Sequence, residues 1–204
     1  MRGCVFLDRD GVINEEVEYL HEPDRVVPVE GAAAAIAALG AAGLAVVVAT
    51  NQAGIGRGMY TERELGAVTA RIAELLARAG ARLDATYFCP HHPEAGVGAY
   101  LQACRCRKPA PGMLEQAAAE LGLDLSRSAM VGDKASDLEA ARAAGCAAVL
   151  VRSGYGAREE ARLLAEGRAD LPDAVFDSLA AAVPWLCARL LPAPAPSPLP
   201  SPSQ

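Results

Sequence analysis

The chain has 204 residues, enough for one well-buried domain and short for two. It is 52% hydrophobic, poor in aromatics and carries a formal net charge of -6, a balance that suits an ordinary enzyme and leaves no basic patch for a nucleic-acid backbone. The N-terminus enters an apolar run without a signal-like segment, and no stretch approaches the ~18 apolar residues of a membrane span. The expectation is therefore a cytoplasmic monomer with neither nucleic acid nor membrane as partner.

Taken in chain order, "CVFLD" is a first strand and "EGAAAAIAALGAAG" a helix, followed by "LAVVVAT" as a second strand. A helix begins at about Thr61. There Thr61 and Glu64 form a capping box, Leu65, Val68, Ile72 and Leu75 recur at helical spacing, and Gly80 supplies a stop. "ATYFC", "SAMVGD" and "AAVLVR" are further strands, with "ASDLEAARAAG" a short helix between the last two that ends at Gly145. This alternation predicts an α/β fold, a doubly wound, Rossmann-like parallel sheet flanked by helices. One domain is expected over residues 1–191. From Pro192 onward proline falls at nearly every second position, so residues 192–204 are expected to be a disordered tail.

In such sheets ligands bind beyond the carboxyl ends of the strands. Asp8, Thr50, Cys89 and Asp133 each fall at such an end. Asp8 and Asp10 lie two apart in "FLDRDGVIN", and Gly11 lets the chain leave the strand so that both can approach one site. Two close carboxylates need a cation, and hard oxygen ligands suit Mg²⁺. Asp133 could add a further carboxylate, with Asp137 in support from the start of the next helix. Thr50, the loop amides after it and Lys108 would make a phosphate cradle of donors plus one point charge. Alone, "TNQ" is ordinary turn chemistry and Lys108 a surface cation; together they supply what phosphoryl transfer needs.

Six cysteines in a cytosolic chain point to metal or plain burial. Cys4, Cys146 and Cys187 sit among apolar residues and read as core. Cys89-x-His91 and Cys104-x-Cys106 give a Cys₃His set of the kind that closes a structural zinc site, with His92 an alternative ligand on counting alone. The zinc-binding loop, residues 89–106, runs directly into Arg107 and Lys108. It reads as a rigid mount that aims both cations at the phosphate site.

"LDRDGVIN", "ATN", Lys108 and "GDKASD", in this order and spacing, resemble the four motifs of the haloacid dehalogenase superfamily of phosphatases, and the resemblance runs to about residue 190. It implies Asp8 as nucleophile, forming an aspartyl-phosphate, and Asp10 as general acid and then base. It also implies Thr50 and Lys108 as holders of the phosphoryl group. Mg²⁺ would rest on the Asp8 carboxylate, the backbone carbonyl of Asp10 and Asp133, and His91 is favoured over His92 for zinc. No large cap domain fits between Asp8 and Thr50 or between Thr50 and Lys108. Specificity would fall to "NEEVEYLHEP", "NQAGIGRGMYTE" and the zinc loop, which resemble a zinc-bearing, capless subgroup acting on phosphorylated sugars.

The substrate so implied is a small bisphosphorylated sugar. A second phosphate needs a contact away from the reacting centre, and Arg107 is the best candidate because its fork matches phosphate or sugar oxygens. Asn51, Arg57 and Lys134 are further candidates for substrate contact. Gly56 and the "AS" of "DKASD" are the departures from the subgroup pattern. The alternatives are a histidinol-phosphate phosphatase of the same subgroup and, from another class, a non-catalytic zinc-stabilised scaffold.

Overall fold

The computed structural model describes residues 1–192; the expected tail, beyond Pro192, lies outside the described residues. In chain order the elements are β1 (Cys4–Leu7), α1 (Ala32–Ala41), β2 (Ala45–Asn51), the one-turn α2 (Ala53–Gly56), α3 (Glu62–Arg78) and β3 (Ala85–Cys89). There follow α4 (Gly112–Leu121), β4 (Ala129–Gly132), α5 (Ala135–Ala144), β5 (Ala147–Val151), α6 (Gly156–Ala165), β6 (Ala174–Phe176) and α7 (Leu179–Leu190). The six strands form one parallel sheet in the order β3-β2-β1-β4-β5-β6.

Why the sheet is wrapped on both faces is written in the strands. β1, β2, β4 and β5 are apolar at nearly every position, so alternate side chains feed two separate cores. Val5, Leu7, Val46, Val48, Val131 and Val149 face α1, α3 and α7. Phe6, Val47, Ala49, Met130, Ala148 and Leu150 face α4, α5 and α6. Cys4 and Cys146 are buried in the second core and Cys187 packs half-buried on the first, as their apolar contexts predict.

The capping box predicted for α3 is present, Thr61 Oγ1 accepting from Glu64 N and Glu64 Oε2 from Thr61 N at 2.7 Å. Its fully buried stripe is Leu65, Val68, Ile72 and Leu76, with Leu75 only half-buried, because the stripe drifts round a 3.6-residue helix. α5 ends at Gly145, which takes the left-handed conformation. No helix among the described residues is long and apolar enough to cross a membrane.

The sheet order reverses direction between β1 and β4. At such a switch point the two following connections leave on opposite faces and open a crevice at the carboxyl ends. Asp8 leaves β1 and Asp133 leaves β4, so the two acids flank that crevice.

Candidate active site

The strand tips bring together residues far apart in the chain. One carboxylate oxygen each of Asp8, Asp133 and Asp137 lies within 4.8 Å of the others, and all three side chains are buried. Lys108 enters this cluster from below. Its Nζ is 3.1 Å from Asp8 Oδ1 and 2.6 Å from Asp137 Oδ1, and it donates to the carbonyl of Ala49 at 2.7 Å. The lysine is 2% exposed, so it is a buried counter-charge and not a surface cation.

Three buried acids against one buried lysine leave a local excess of negative charge, and the titration behaviour reflects it. Burial pushes Asp133 up to about 7, with the charge of Asp8 adding to the effect, and burial likewise raises Asp137 to about 6. For Asp8 burial acts in the same upward sense, but Lys108 and Lys134 outweigh it and hold the carboxyl below its ordinary range. Burial opposes charge on Lys108 too; Asp137 and Asp8 overcome it and raise the lysine. Asp133 Oδ2 accepts from Tyr155 N at 2.9 Å, whereas its Oδ1, buried, has no hydrogen-bond partner and lies 3.6 Å from Lys134 Nζ. An orphaned, buried, anionic oxygen beside a second carboxylate is the donor set that a small divalent cation satisfies.

Glycines shape the space around Asp133. Gly11 and Gly154 both take positive φ, and a Cβ on either would come within 2.3 and 2.4 Å of Asp133 Oδ2. Only glycine lets the β1 and β5 loops close on that carboxylate.

The Asp10 carboxylate lies apart from this cluster. Its Oδ1 accepts from Arg9 Nε at 3.0 Å and Asn14 Nδ2 at 2.8 Å, and its Oδ2 from Arg9 Nη2 at 2.8 Å and Gln52 Nε2 at 3.1 Å. Asp10 opens instead onto a cleft of about 210 Å³ whose walls include Glu16, Gln52, Tyr60, Lys134 and Tyr155. The first two expected loops supply much of this wall. None of residues 89–106 lines the cleft; the turn after β5, carrying Tyr155, does so instead.

The zinc loop gathers as its spacing predicts. The Sγ atoms of Cys89, Cys104 and Cys106 lie 3.0 to 3.5 Å apart, no disulfide joins them, and His91 Nδ1 faces them at 3.4 Å from Cys106 and 3.8 Å from Cys89. Three thiols and an imidazole nitrogen, pointing inward with no other function for their sulfurs, fit a closed tetrahedral metal site. His92 is turned elsewhere, accepting from the amides of Glu94 and Ala95 and sitting 3.2 Å from Arg57 Nη2.

Behind the knot, Asn51 clamps the chain. Its amide donates to the carbonyl of Lys108 and accepts from Lys108 N, each at 3.0 Å, so the β2 tip fixes the lysine backbone just after the last cysteine. Thr50 is buried beside it. Arg107 donates to the carbonyl of His91 at 3.1 Å, Arg57 to Tyr19 Oη at 2.6 Å, and Lys134 pairs with Glu16 at 3.0 Å. Neither Arg107 nor Arg57 lines the cleft; Asn51 and Lys134 do. Arg9, Gln52 and Tyr60 were not legible as site residues. Their only signal was position, Arg9 inside "DRD" and Gln52 and Tyr60 inside the expected specificity loop "NQAGIGRGMYTE".

A parallel sheet with acids at two switch-point tips and a buried lysine beside them is the architecture of haloacid dehalogenase-like hydrolases. A family model described as HAD-hydrolase-like matches residues 105–182. A D-glycero-D-manno-heptose-1,7-bisphosphate 7-phosphatase of Thermosynechococcus vestitus is 47% identical, covering 94% of this chain and 98% of that protein. The β-anomer enzyme of Yersinia pestis is 44% identical over 84% of this chain and 94% of its own. Among solved structures, D,D-heptose 1,7-bisphosphate phosphatase from B. bronchiseptica, complexed with magnesium and phosphate, superimposes with a TM-score of 0.78 at 38% identity, covering 91% of this chain and 98% of that one. The chain belongs to the D-glycero-D-manno-heptose-1,7-bisphosphate 7-phosphatase family of these hydrolases.

Proposed function

We propose that this protein is a Mg²⁺-dependent cytoplasmic phosphatase that removes the 7-phosphate of D-glycero-D-manno-heptose 1,7-bisphosphate, a step toward nucleotide-activated heptose for surface glycans. The observation that carries the reading is the buried Asp8–Asp133–Asp137 cluster with Lys108 in its midst, set in a chain that aligns with relatives of that name along nearly their whole length.

Asp8 is the nucleophile. Its contacts to Arg9 N and Lys108 Nζ both fall on Oδ1, which leaves Oδ2 for bond formation to phosphorus. Lys108 keeps Asp8 ionised and places positive charge beside the phosphoryl group, and the Thr50 hydroxyl donates to one of its oxygens. Asp10 delivers a proton to the departing sugar oxygen, then takes one from the water that hydrolyses the aspartyl-phosphate. The carboxylates of Asp8 and Asp133 and the backbone carbonyl of Asp10 would hold Mg²⁺. When bound, that ion supplies charge against the phosphate oxygens and the excess negative charge of the cluster.

Cys89, His91, Cys104 and Cys106 would hold structural Zn²⁺. Asn51, Lys134, Arg57 and Arg107 remain the candidates for the sugar and its second phosphate, Lys134 best placed of the cations because it borders the cleft. Phosphate release from both anomers of the heptose bisphosphate, beside histidinol phosphate, tests the assignment through kcat/KM. Strong preference for one heptose anomer is the expected result. Preference for histidinol phosphate overturns the substrate, and turnover by Asp8→Asn overturns the mechanism.

A further inference from the structure

Two buried residues that the reaction scheme leaves without a part join its two halves. Gln52 is 3% exposed and Tyr60 6% exposed. The Asp10 carboxylate only accepts, so the end of the Gln52 amide that faces it is Nε2, and Oε1 accepts from the Tyr60 hydroxyl at 2.5 Å. Nε2 then has two N–H groups to place. It donates one to Asp10 Oδ2 at 3.1 Å and one to Thr50 Oγ1 at 3.0 Å. Every polar atom of the Gln52 side chain is thus committed.

The bond to Thr50 matters for what it leaves over. A hydroxyl carries one proton and two acceptor lone pairs; with a lone pair occupied by Gln52, the proton is free to point away from the amide. No acceptor for that proton is recorded among the described residues. On the other side, Gln52 is one of four donors that fix the Asp10 carboxylate, and the only one of them that also reaches Thr50. Tyr60 itself is held on its far face by the ring of His21, stacked at a centroid distance of 5.7 Å and an interplanar angle of 7°. Burial pushes its phenol up to about 12, so the hydroxyl keeps the proton that it donates.

We propose that Gln52 and Tyr60 are a positioning pair for this site: Tyr60 fixes the amide of Gln52, and Gln52 sets the Asp10 carboxylate and the Thr50 hydroxyl at a fixed spacing on either side of the bond to be broken. The inference rests on the proposed roles of Asp10 and Thr50. It adds that the geometry between leaving-group proton transfer and phosphoryl binding is set by a pair that acts through Asp10 and Thr50 and not on the reacting atoms. The pair also ties the chemistry to the substrate-facing loops, since Tyr60 and His21 come from the two segments that wall the cleft.

The test compares the heptose bisphosphate, whose alkoxide leaving group needs a proton, with 4-nitrophenyl phosphate, whose leaving group does not. Tyr60→Phe keeps the ring and its stacking and removes only the hydroxyl. It is expected to lower kcat on the sugar about tenfold with KM nearly unchanged, and to lower kcat on the aryl phosphate by a clearly smaller factor. Gln52→Met, of similar shape and with no N–H, is expected to give the same pattern with a larger loss, and serves alone should Tyr60→Phe fail to fold. Asp10→Asn is run beside them. If Asp10→Asn discriminates between the substrates while both other variants lose equally on the two, or change only KM, the pair is ordinary packing and the proposal is overturned. If Asp10→Asn itself fails to discriminate in kcat/KM, which stops at departure of the leaving group and so excludes the base step that both substrates share, the acid assignment fails first and the role of the pair falls with it.

Discussion

The two candidate metal centres are built in opposite ways. The thiol knot is local: four ligands within residues 89–106, Cys89 buried and the other three half-buried, with no ion pair among them. The carboxylate centre is assembled from the tips of β1 and β4 and the first turn of α5, its three acids buried and its only buried cation, Lys108, brought in from a fourth segment. A local knot can hold its shape by metal bonds alone, whereas a buried ionic cluster needs the whole sheet to keep its charges in register. The connection between them is short. Cys106 is two residues before Lys108, and Asn51 grips the lysine backbone from the β2 tip.

That contrast can be broken from the ionic side first. Lys108→Ala leaves the acids of the cluster uncompensated, so stability should fall by about 3–5 kcal/mol, the range for orphaning one side of a buried pair. kcat should fall at least about 10³-fold, since charge at the phosphoryl group is lost as well. Thermal unfolding and phosphate release check both, and a stable, active Lys108→Ala protein would remove the lysine from its central place. Cys104→Ser acts from the other side. It should release zinc, lower the melting temperature and reduce kcat about ten- to a hundredfold by loosening the mount of Lys108. The Mg²⁺ concentration for half-maximal activity should stay unchanged. A shifted Mg²⁺ midpoint would show the two centres are not separate.

The third expectation concerns protons. Asp133 and Asp137 bind protons more tightly in the folded chain than in the unfolded one, up to about 7 and about 6. Their contribution to the stability of the metal-free protein is therefore present at low pH and is lost as pH rises through those values. Asp8 runs the other way: its contribution is present above the ordinary carboxyl range and is lost as pH falls. Because Mg²⁺ competes with the protons on Asp133, its apparent affinity should drop about tenfold between pH 8 and pH 6, read by titration calorimetry. An affinity flat across that range would mean Asp133 is not a ligand.

Much of this architecture could be read in the sequence, for physical reasons. β1, β2, β4 and β5 are short apolar runs bounded by turn residues, and α3 carries its cap and stop in plain view. The parallel order follows from alternation with helices. The thiol set was legible because its ligands are neighbours in sequence, and the ring orientations agree with the resemblance in favouring His91 over His92. Less was legible where function depends on convergence. Asp137 was placed in support of the site from the start of α5, but its part as the tightest partner of Lys108 was not legible. Asp10 was expected to join the carboxylate pair through Gly11, yet Arg9 turns its side chain toward the cleft. β6, α4, α6 and α7 were not singled out. β6 is only Ala174–Phe176, and α7 carries Pro184, which ordinarily argues against helix. The tip residue Tyr155, whose amide holds Asp133, sits in a Gly-Tyr-Gly turn that carries no chemical signature of its own.

The two metals divide the labour: zinc shapes the mount and Mg²⁺ serves the chemistry. This division is tested most directly by measuring phosphate release from zinc-loaded protein dialysed free of Mg²⁺, before and after Mg²⁺ is restored, with zinc content and unfolding followed in the same samples. The account predicts a folded, zinc-replete and inactive protein whose turnover returns fully with Mg²⁺. Undiminished turnover without Mg²⁺, with zinc still bound, would contradict it.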